Sequence, residues 1–180
     1  MPTSLMLDDP KATDTFGRAL VAAMRQHWDL IHGAGFQFNL SGDLGAGKTA
    51  LVRAMLRELG VQDSVKSPTF ALLEPYTVSS LDFYHFDFYR LKEPAEFGET
   101  GFRELFGPGR ICAVEWPERA GLRLPTADIS IALTFDGDGR LATISTGSAL
   151  GDTCLSQAME KFEASAGDSS PRAPARSSSG

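Results

Sequence analysis

Gly42-Asp43-Leu44-Gly45-Ala46-Gly47-Lys48-Thr49 is the stretch whose residue types and spacing most directly do chemistry. It fits G-x-x-x-x-G-K-[ST], a loop that cradles the phosphates of a nucleoside triphosphate. Gly42, Gly45 and Gly47 carry no Cβ, so the backbone there can take positive φ and close on an anion. Successive N–H groups then form a concave nest at the positive end of a helix that begins near Lys48. Lys48 adds a mobile point charge for the β- and γ-phosphates, and the Thr49 hydroxyl can take a place on Mg²⁺.

Such a loop needs a carboxylate on the metal side away from Thr49. Glu115 ends the apolar run Arg110 to Val114, and ligands of open α/β sheets lie outside the carboxyl ends of the strands. It therefore has the address of the metal-side acid, in direct contact or through water. Asp87 is the second carboxylate. It sits within Tyr84-His85-Phe86-Asp87-Phe88-Tyr89-Arg90, where flanking aromatics dry it enough to orient or activate an attacking water. A salt bridge to Arg90 is the plainer alternative. His85 is as well explained by packing as by phosphate contact. Thr69, just after Pro68, stands where a switch segment would sense the terminal phosphate.

The elements that must position these groups can be read from spacing. Thr13 or Asp14 caps a helix whose face is Phe16, Leu20, Ala23, His27 and Leu30 or Ile31, ended by Gly33 and Gly35. Phe36 to Leu40 alternates like a strand, and Ala50 to Leu59 has helical spacing up to Gly60. Pro68 ends any helix, after which Thr69 to Glu74 and Leu81 to Leu91 read as the strands of a hairpin. Glu93 to Phe106 reads as a broken helix closed by Gly107-Pro108-Gly109. Arg110 to Val114 is a buried strand. Asp128 to Phe135 and Arg140 to Ser145 are two more, joined by a turn at Asp136-Gly137-Asp138-Gly139. The expected fold is α/β: a P-loop NTPase-like three-layer sandwich with a mixed, mostly parallel sheet and an inserted β-hairpin. Residues 1–147 form a single ATPase domain. Residues 148–164 form an extension with a short helix through Leu155 to Met159. Residues 165–180, rich in Ser, Ala, Pro, Arg and Gly, form a disordered tail.

The chain has 180 residues and a formal net charge of −6, which argues against gripping nucleic acid by a broad basic surface. No DNA partner is expected, and RNA contact would be local or through a partner. Its two cysteines, Cys112 and Cys154, offer no disulfide framework or metal spacing. No run reaches membrane-spanning length and the first residues lack a signal-type core, so a cytoplasmic location is expected.

Four blocks together resemble a family. Gly42 to Thr49, Ser67-Pro68-Thr69-Phe70, His85-Phe86-Asp87-Phe88-Tyr89-Arg90-Leu91 and Glu115-Trp116-Pro117-Glu118 occur in the order, and with the spacing, of the bacterial TsaE (YjeE) family. The resemblance covers roughly Thr13 to Ser145. It implies an ATPase of the tRNA threonylcarbamoyladenosine pathway, with ATP and Mg²⁺ as cofactors. It also implies TsaB and TsaD as partners, tRNA being met indirectly through that complex. ATP hydrolysis would reset the complex that modifies adenosine 37. By the same resemblance Lys48 and Thr49 hold phosphate and Mg²⁺, Glu115 is the second metal-side group and Asp87 serves hydrolysis. Thr69 lies in a switch-like segment, and Trp116 lines the nucleotide site or its mouth, or meets a partner. The chain departs from the family at Ala50, at Ala54 and in the polar Gln37 and Asn39 of the strand before the loop.

Three other readings compete. A small-molecule kinase needs arginines over the transferred phosphoryl group, and Arg103, Arg110, Arg119 and Arg123 are scattered. A GTPase needs an Asn/Thr-Lys-x-Asp motif, and none of the five lysines is followed two places later by Asp. ATP is therefore the expected nucleotide. A nucleotide-dependent scaffold without turnover is the third, and Asp87 and Glu115 argue against it.

Overall fold

A computed structural model describes residues 2–167. The chain opens with strand β1 (Thr3–Leu7) and helix α1 (Pro10–Met24), a 3-10 turn and helix α2 (Trp28–Ala34). Strand β2 (Phe36–Ser41) leads into the loop and helix α3 (Lys48–Glu58). The hairpin β3 (Leu73–Val78) and β4 (Leu81–Asp87) follows, then the short helix α4 (Pro94–Glu99) and β5 (Arg110–Glu115). Strands β6 (Ile129–Asp136) and β7 (Gly139–Thr146) and helix α5 (Ala149–Gly167) complete the described fold.

The seven strands form one sheet in the order β1-β7-β6-β2-β5-β4-β3. Its centre, β6-β2-β5-β4, is parallel, and the hairpins at both margins are antiparallel. Because β2 lies between β5 and β6, the loop after it emerges at the middle of the carboxyl edge, where ligands of such sheets bind. One face carries α1, α3 and α5 over a continuous core that includes Phe16, Leu20, Phe38, Leu51 and Ile131. The other face is covered over β4 and β5 by a cluster of Phe86, Phe88, Phe97 and Val114, with α4 and the neighbouring 3-10 turns above it. Each such ring removed from water contributes about 1.5–3 kcal/mol. Cys112 packs into this cluster, and burial pushes its thiol up to about 12.

Gln37 and Asn39 on β2 point to this second face, which explains their polarity. Gln37 donates to Asn39 Oδ1 at 2.9 Å and to the Pro125 carbonyl at 3.2 Å. Asn39, Ser41, Ser130 and Ser145 then line one side of a groove whose other lining includes Pro117, Leu122 and Leu124.

The structure departs from the sequence expectations in several places, among them the second hairpin strand, which ends at Asp87 rather than at Leu91. The first helix begins at Pro10 on an Asp9 cap, whose side chain accepts from Ala12 N at 2.7 Å, rather than at Thr13 or Asp14. It also breaks at Arg25–His27 instead of running on. Strand β1 was not expected. Its pairing to β7 supplies the order that a five-residue segment lacks by itself. Thr69 to Leu72 is turn rather than strand, because Leu72 N donates to the Pro68 carbonyl at 2.7 Å. Finally, the C-terminal helix is no short one. It runs from Ala149 to Gly167, buries Cys154, Leu155 and Ala158 in the main core and sets Phe162 edge-on to Phe16 at 5.9 Å. Ser165 to Gly167, read as tail, belong to this helix, and the rest of that tail lies outside the described residues.

Candidate functional site

The loop runs from the end of β2 to the N-terminus of α3. Gly42, Gly45 and Gly47 have φ of 133°, 80° and 107°, as their types foretold. Gly42 is needed twice over, since a Cβ there would fall 2.3 Å from the Leu133 carbonyl oxygen of β6. Leu44, Gly45, Gly47, Lys48 and Thr49 line a cavity of about 320 Å³ at the carboxyl edge of the sheet. Thr69, Asp87, Glu115 and Trp116 line it as well, so the distant blocks of sequence converge on one space. Gly42, Asp43 and Ala46 form the back of the loop: the Gly42 and Asp43 carbonyls accept from Lys48 Nζ at 2.5 and 2.9 Å, and Ala46 is buried. Lys48 is 4 % exposed, and its pKa is lowered from the ordinary lysine value because burial penalises the charge. Glu115, Asp87, Glu118 and Asp43 partly offset that.

Glu115 ends β5 beside Leu40 of β2 on one side and Asp87 of β4 on the other. Its Oε1 accepts from Thr49 Oγ1 at 2.7 Å and pairs with His85 Nε2 at 2.8 Å. His85 is fully buried, and its Nδ1 has no partner among the described residues. Holding that bond therefore requires the ring hydrogen on Nε2, donated to the carboxylate. Because Thr49 gives its own hydrogen to Glu115, the lone pairs of Thr49 Oγ1 remain free to bind a cation.

Asp87, 3 % exposed, is held by hydroxyls rather than by Arg90. Ser67 Oγ and Thr69 Oγ1 both donate to Asp87 Oδ2, the latter at 3.2 Å, and Tyr89 N donates to Oδ1 at 2.9 Å. Arg90 instead stacks on the exposed ring of Phe70 at 4.2 Å. The turn at Thr69–Leu72 brings the two hydroxyls to the carboxylate. Trp116 takes a left-handed conformation (φ 57°, ψ 49°), which sets its ring 4.1 Å from Lys48 Nζ and 5.0 Å from the Tyr89 ring.

The donor set fits Mg²⁺. It offers hard oxygens, Thr49 Oγ1 and the Glu115 carboxylate. Among the described residues there is no cluster of three or more His, Cys, Asp or Glu side chains that could hold a metal by itself. Mg²⁺ is bound in this way by one or two protein oxygens completed by phosphate and water.

A family model described as threonylcarbamoyl adenosine biosynthesis protein TsaE matches residues 7–142. This chain belongs to the TsaE family. A protein of Haemophilus influenzae named tRNA threonylcarbamoyladenosine biosynthesis protein TsaE is 43% identical over 117 residues, which are 65% of this chain and 74% of that protein. Proteins of the same name from Rickettsia felis and Bacillus subtilis are 39% and 32% identical. The first alignment covers 80% of both chains, and the second covers 72% of this chain and 76% of the relative. The crystal structure of Bacillus subtilis YdiB superposes with a TM-score of 0.68 over 89% of this chain and 97% of that one. At 24% identity it shows the shared fold. The family is one of nucleotide-binding proteins, in keeping with the loop.

Sequence reasoning missed or undervalued three side chains. Ser67 stands out in the sequence only as part of a block, and its position before Pro68 is the available signal. His85, for which packing explains at least as much as phosphate contact, is fully buried, does not line the cavity and pairs with Glu115. Arg140 was seen only as the start of a strand. Its Nε donates to the Ala46 carbonyl at 3.1 Å and its Nη2 to the Gly45 carbonyl at 3.4 Å. No local pattern could have linked residues 94 and 95 positions apart.

Proposed function

We propose that this chain is a Mg²⁺-dependent ATPase of tRNA threonylcarbamoyladenosine biosynthesis, which hydrolyses ATP to reset a TsaB–TsaD transferase complex in the cytoplasm. It meets tRNA only through that complex. The observation that carries the reading is the convergence of the phosphate loop with two buried carboxylates in different settings. Glu115 is tied to the loop threonine, whereas Asp87 is tied to the hydroxyls of a separate turn.

In this reading the N–H groups of residues 44–49 and the Lys48 ammonium bind the β- and γ-phosphates. Lys48 must then exchange the Gly42 and Asp43 carbonyls for phosphate oxygens. Thr49, oriented by Glu115, and Glu115 itself are the residues that would hold Mg²⁺, which when bound neutralises charge developing on the phosphates. Asp87 orients the attacking water and accepts its proton. Ser67 and Thr69 keep that carboxylate aimed into the cavity until the terminal phosphate draws their hydroxyls away. Trp116 closes the Lys48 end against bulk water. The catalytic site falls within residues 1–147, against which α5 packs.

Arg103, Arg110, Arg119 and Arg123 do not support the kinase alternative, since none of the four lines the cavity, and Arg53, which does, donates to the Val65 carbonyl at 3.1 Å. The deciding experiment is an ATPase assay with and without purified TsaB and TsaD from the same source. Strong stimulation is expected. Equal rates, together with normal modified-tRNA levels when the gene is deleted, would sink the reading.

A further inference from the structure

Trp116 follows Glu115 at the end of β5 and stands against Lys48 Nζ, beside the Asp87 cluster. In the triphosphate reading that is the terminal-phosphate end of the cavity. Strands β5 and β6 flank β2 on opposite sides, so the residues that end β6 lie across the loop from Trp116. There Phe135 is 53% exposed, at the exposed end of β6. A Cβ built on Gly45 would be 3.9 Å from Phe135 Cζ, so the ring borders the loop itself.

The ring is also backed. The Arg140 guanidinium lies 4.2 Å from its centroid. That guanidinium is fixed by the Ala46 and Gly45 carbonyls of the loop and by Gly139 O, at 2.7 Å from Nη1. Among the described residues Arg140 makes no ion pair, and carbonyl dipoles and the Phe135 ring face its charge. One side chain thus ties the loop to the ring and keeps them in register.

We propose that Phe135, backed by Arg140, is the platform on which the base of the bound nucleotide stacks, and that Arg140 is a positioning residue for the loop. This rests on the triphosphate reading above. An aromatic or guanidinium plane binds any base through its π-face, so the platform supplies affinity rather than base choice.

The test is equilibrium binding of ATP and of inorganic tripolyphosphate, each with Mg²⁺, to the wild-type chain and to Phe135→Ala and Phe135→Tyr. Phe135→Ala is expected to weaken ATP about tenfold to a hundredfold, the range of one lost base stack. Tripolyphosphate binding is expected to stay the same, and Phe135→Tyr to keep wild-type affinity for both. Arg140→Met is expected to weaken both ligands, because it releases the loop carbonyls. If Phe135→Ala binds ATP as the wild type does, the base lies elsewhere and the proposal fails. If it loses both ligands equally, the ring supports the loop rather than a base, and the proposal fails again. If the wild type binds neither ligand, the triphosphate reading itself is wrong.

Discussion

Replacing Glu115 by Gln keeps the shape of the side chain and removes its charge. The amide oxygen can still accept from Thr49 Oγ1, now 2.7 Å from Glu115 Oε1, so the local packing has no reason to change. A cation resting on Thr49 Oγ1 at an ordinary Mg–O distance of about 2.1 Å lies no more than about 4.8 Å from that Oε1 atom. At that separation a divalent and a univalent charge attract by about 1.7 kcal/mol even at the dielectric of water, and by several times more at the value suited to a partly buried site. The lower figure is a factor of nearly twenty, within the roughly 10- to 100-fold range for groups that support a metal. Glu115→Gln should therefore raise the Mg²⁺ midpoint for nucleotide binding about twentyfold or more. Nucleotide affinity in EDTA should be unchanged or stronger, since a negative charge near the phosphates has gone. Trp116, 4.1 Å from Lys48 Nζ, is the natural fluorescent reporter in a Trp28→Phe background, which removes the second of the two tryptophans. A Glu115→Gln protein with the parent's melting temperature and an unmoved Mg²⁺ midpoint would refute the assignment.

Asp87→Ala should bind ATP normally but hydrolyse it about 10²- to 10⁴-fold more slowly, and an unchanged single-turnover rate would remove Asp87 from the chemistry. Gly17→Ala should destabilise the fold by about 1–3 kcal/mol despite its better helix propensity, because its Cβ would fall 2.6 Å from Ala54 Cβ where α1 crosses α3. A melt at or above the wild-type temperature would contradict that. A chain ending at Gly147 should be strongly destabilised or insoluble, since it uncovers the core face that Leu155, Ala158 and Phe162 occupy, and a cooperative melt near the wild-type temperature would show α5 to be dispensable. Because burial lowers the Lys48 pKa and phosphate restores its charge, ATP binding should take up a proton at alkaline pH and weaken as pH rises through the free-protein pKa below 10.5. The unfolded chain holds more protons in that window, so the contribution of Lys48 to stability increases with pH there. Calorimetry in buffers of different ionisation enthalpy measures the uptake. No uptake below pH 10.5 would contradict the lowered pKa.

Much of this molecule was legible in its sequence, and the reason is locality. The phosphate loop is a contiguous stretch whose glycines and lysine must follow one another, so the motif, its strand and its helix could be read together. Glu115 could be placed at the cavity because a short, mostly apolar run ending in an acid is a buried strand that delivers that acid to the carboxyl edge of the sheet. Asp87 was found, but its partners were not: Ser67 and Thr69 reach it only because Pro68–Leu72 closes into a turn, where β-propensity had suggested a strand. The extent of the last helix was missed because its mixed composition carries little amphipathic signal. It is ordered by packing on α1, through contacts such as Phe162 on Phe16, which no local pattern reveals.

The sequence by itself determined that a phosphate-loop motif exists and which acids could serve it, since those depend on residue type and near spacing. Only the tertiary structure decided how they are held. The His85–Glu115–Thr49 chain joins residues 30 and 66 positions apart, and Arg140 grips the loop from a strand more than 90 residues away. Such bonds arise from the order in which strands enter the sheet. That order is set by burial of the whole core, and no short stretch of residues contains it.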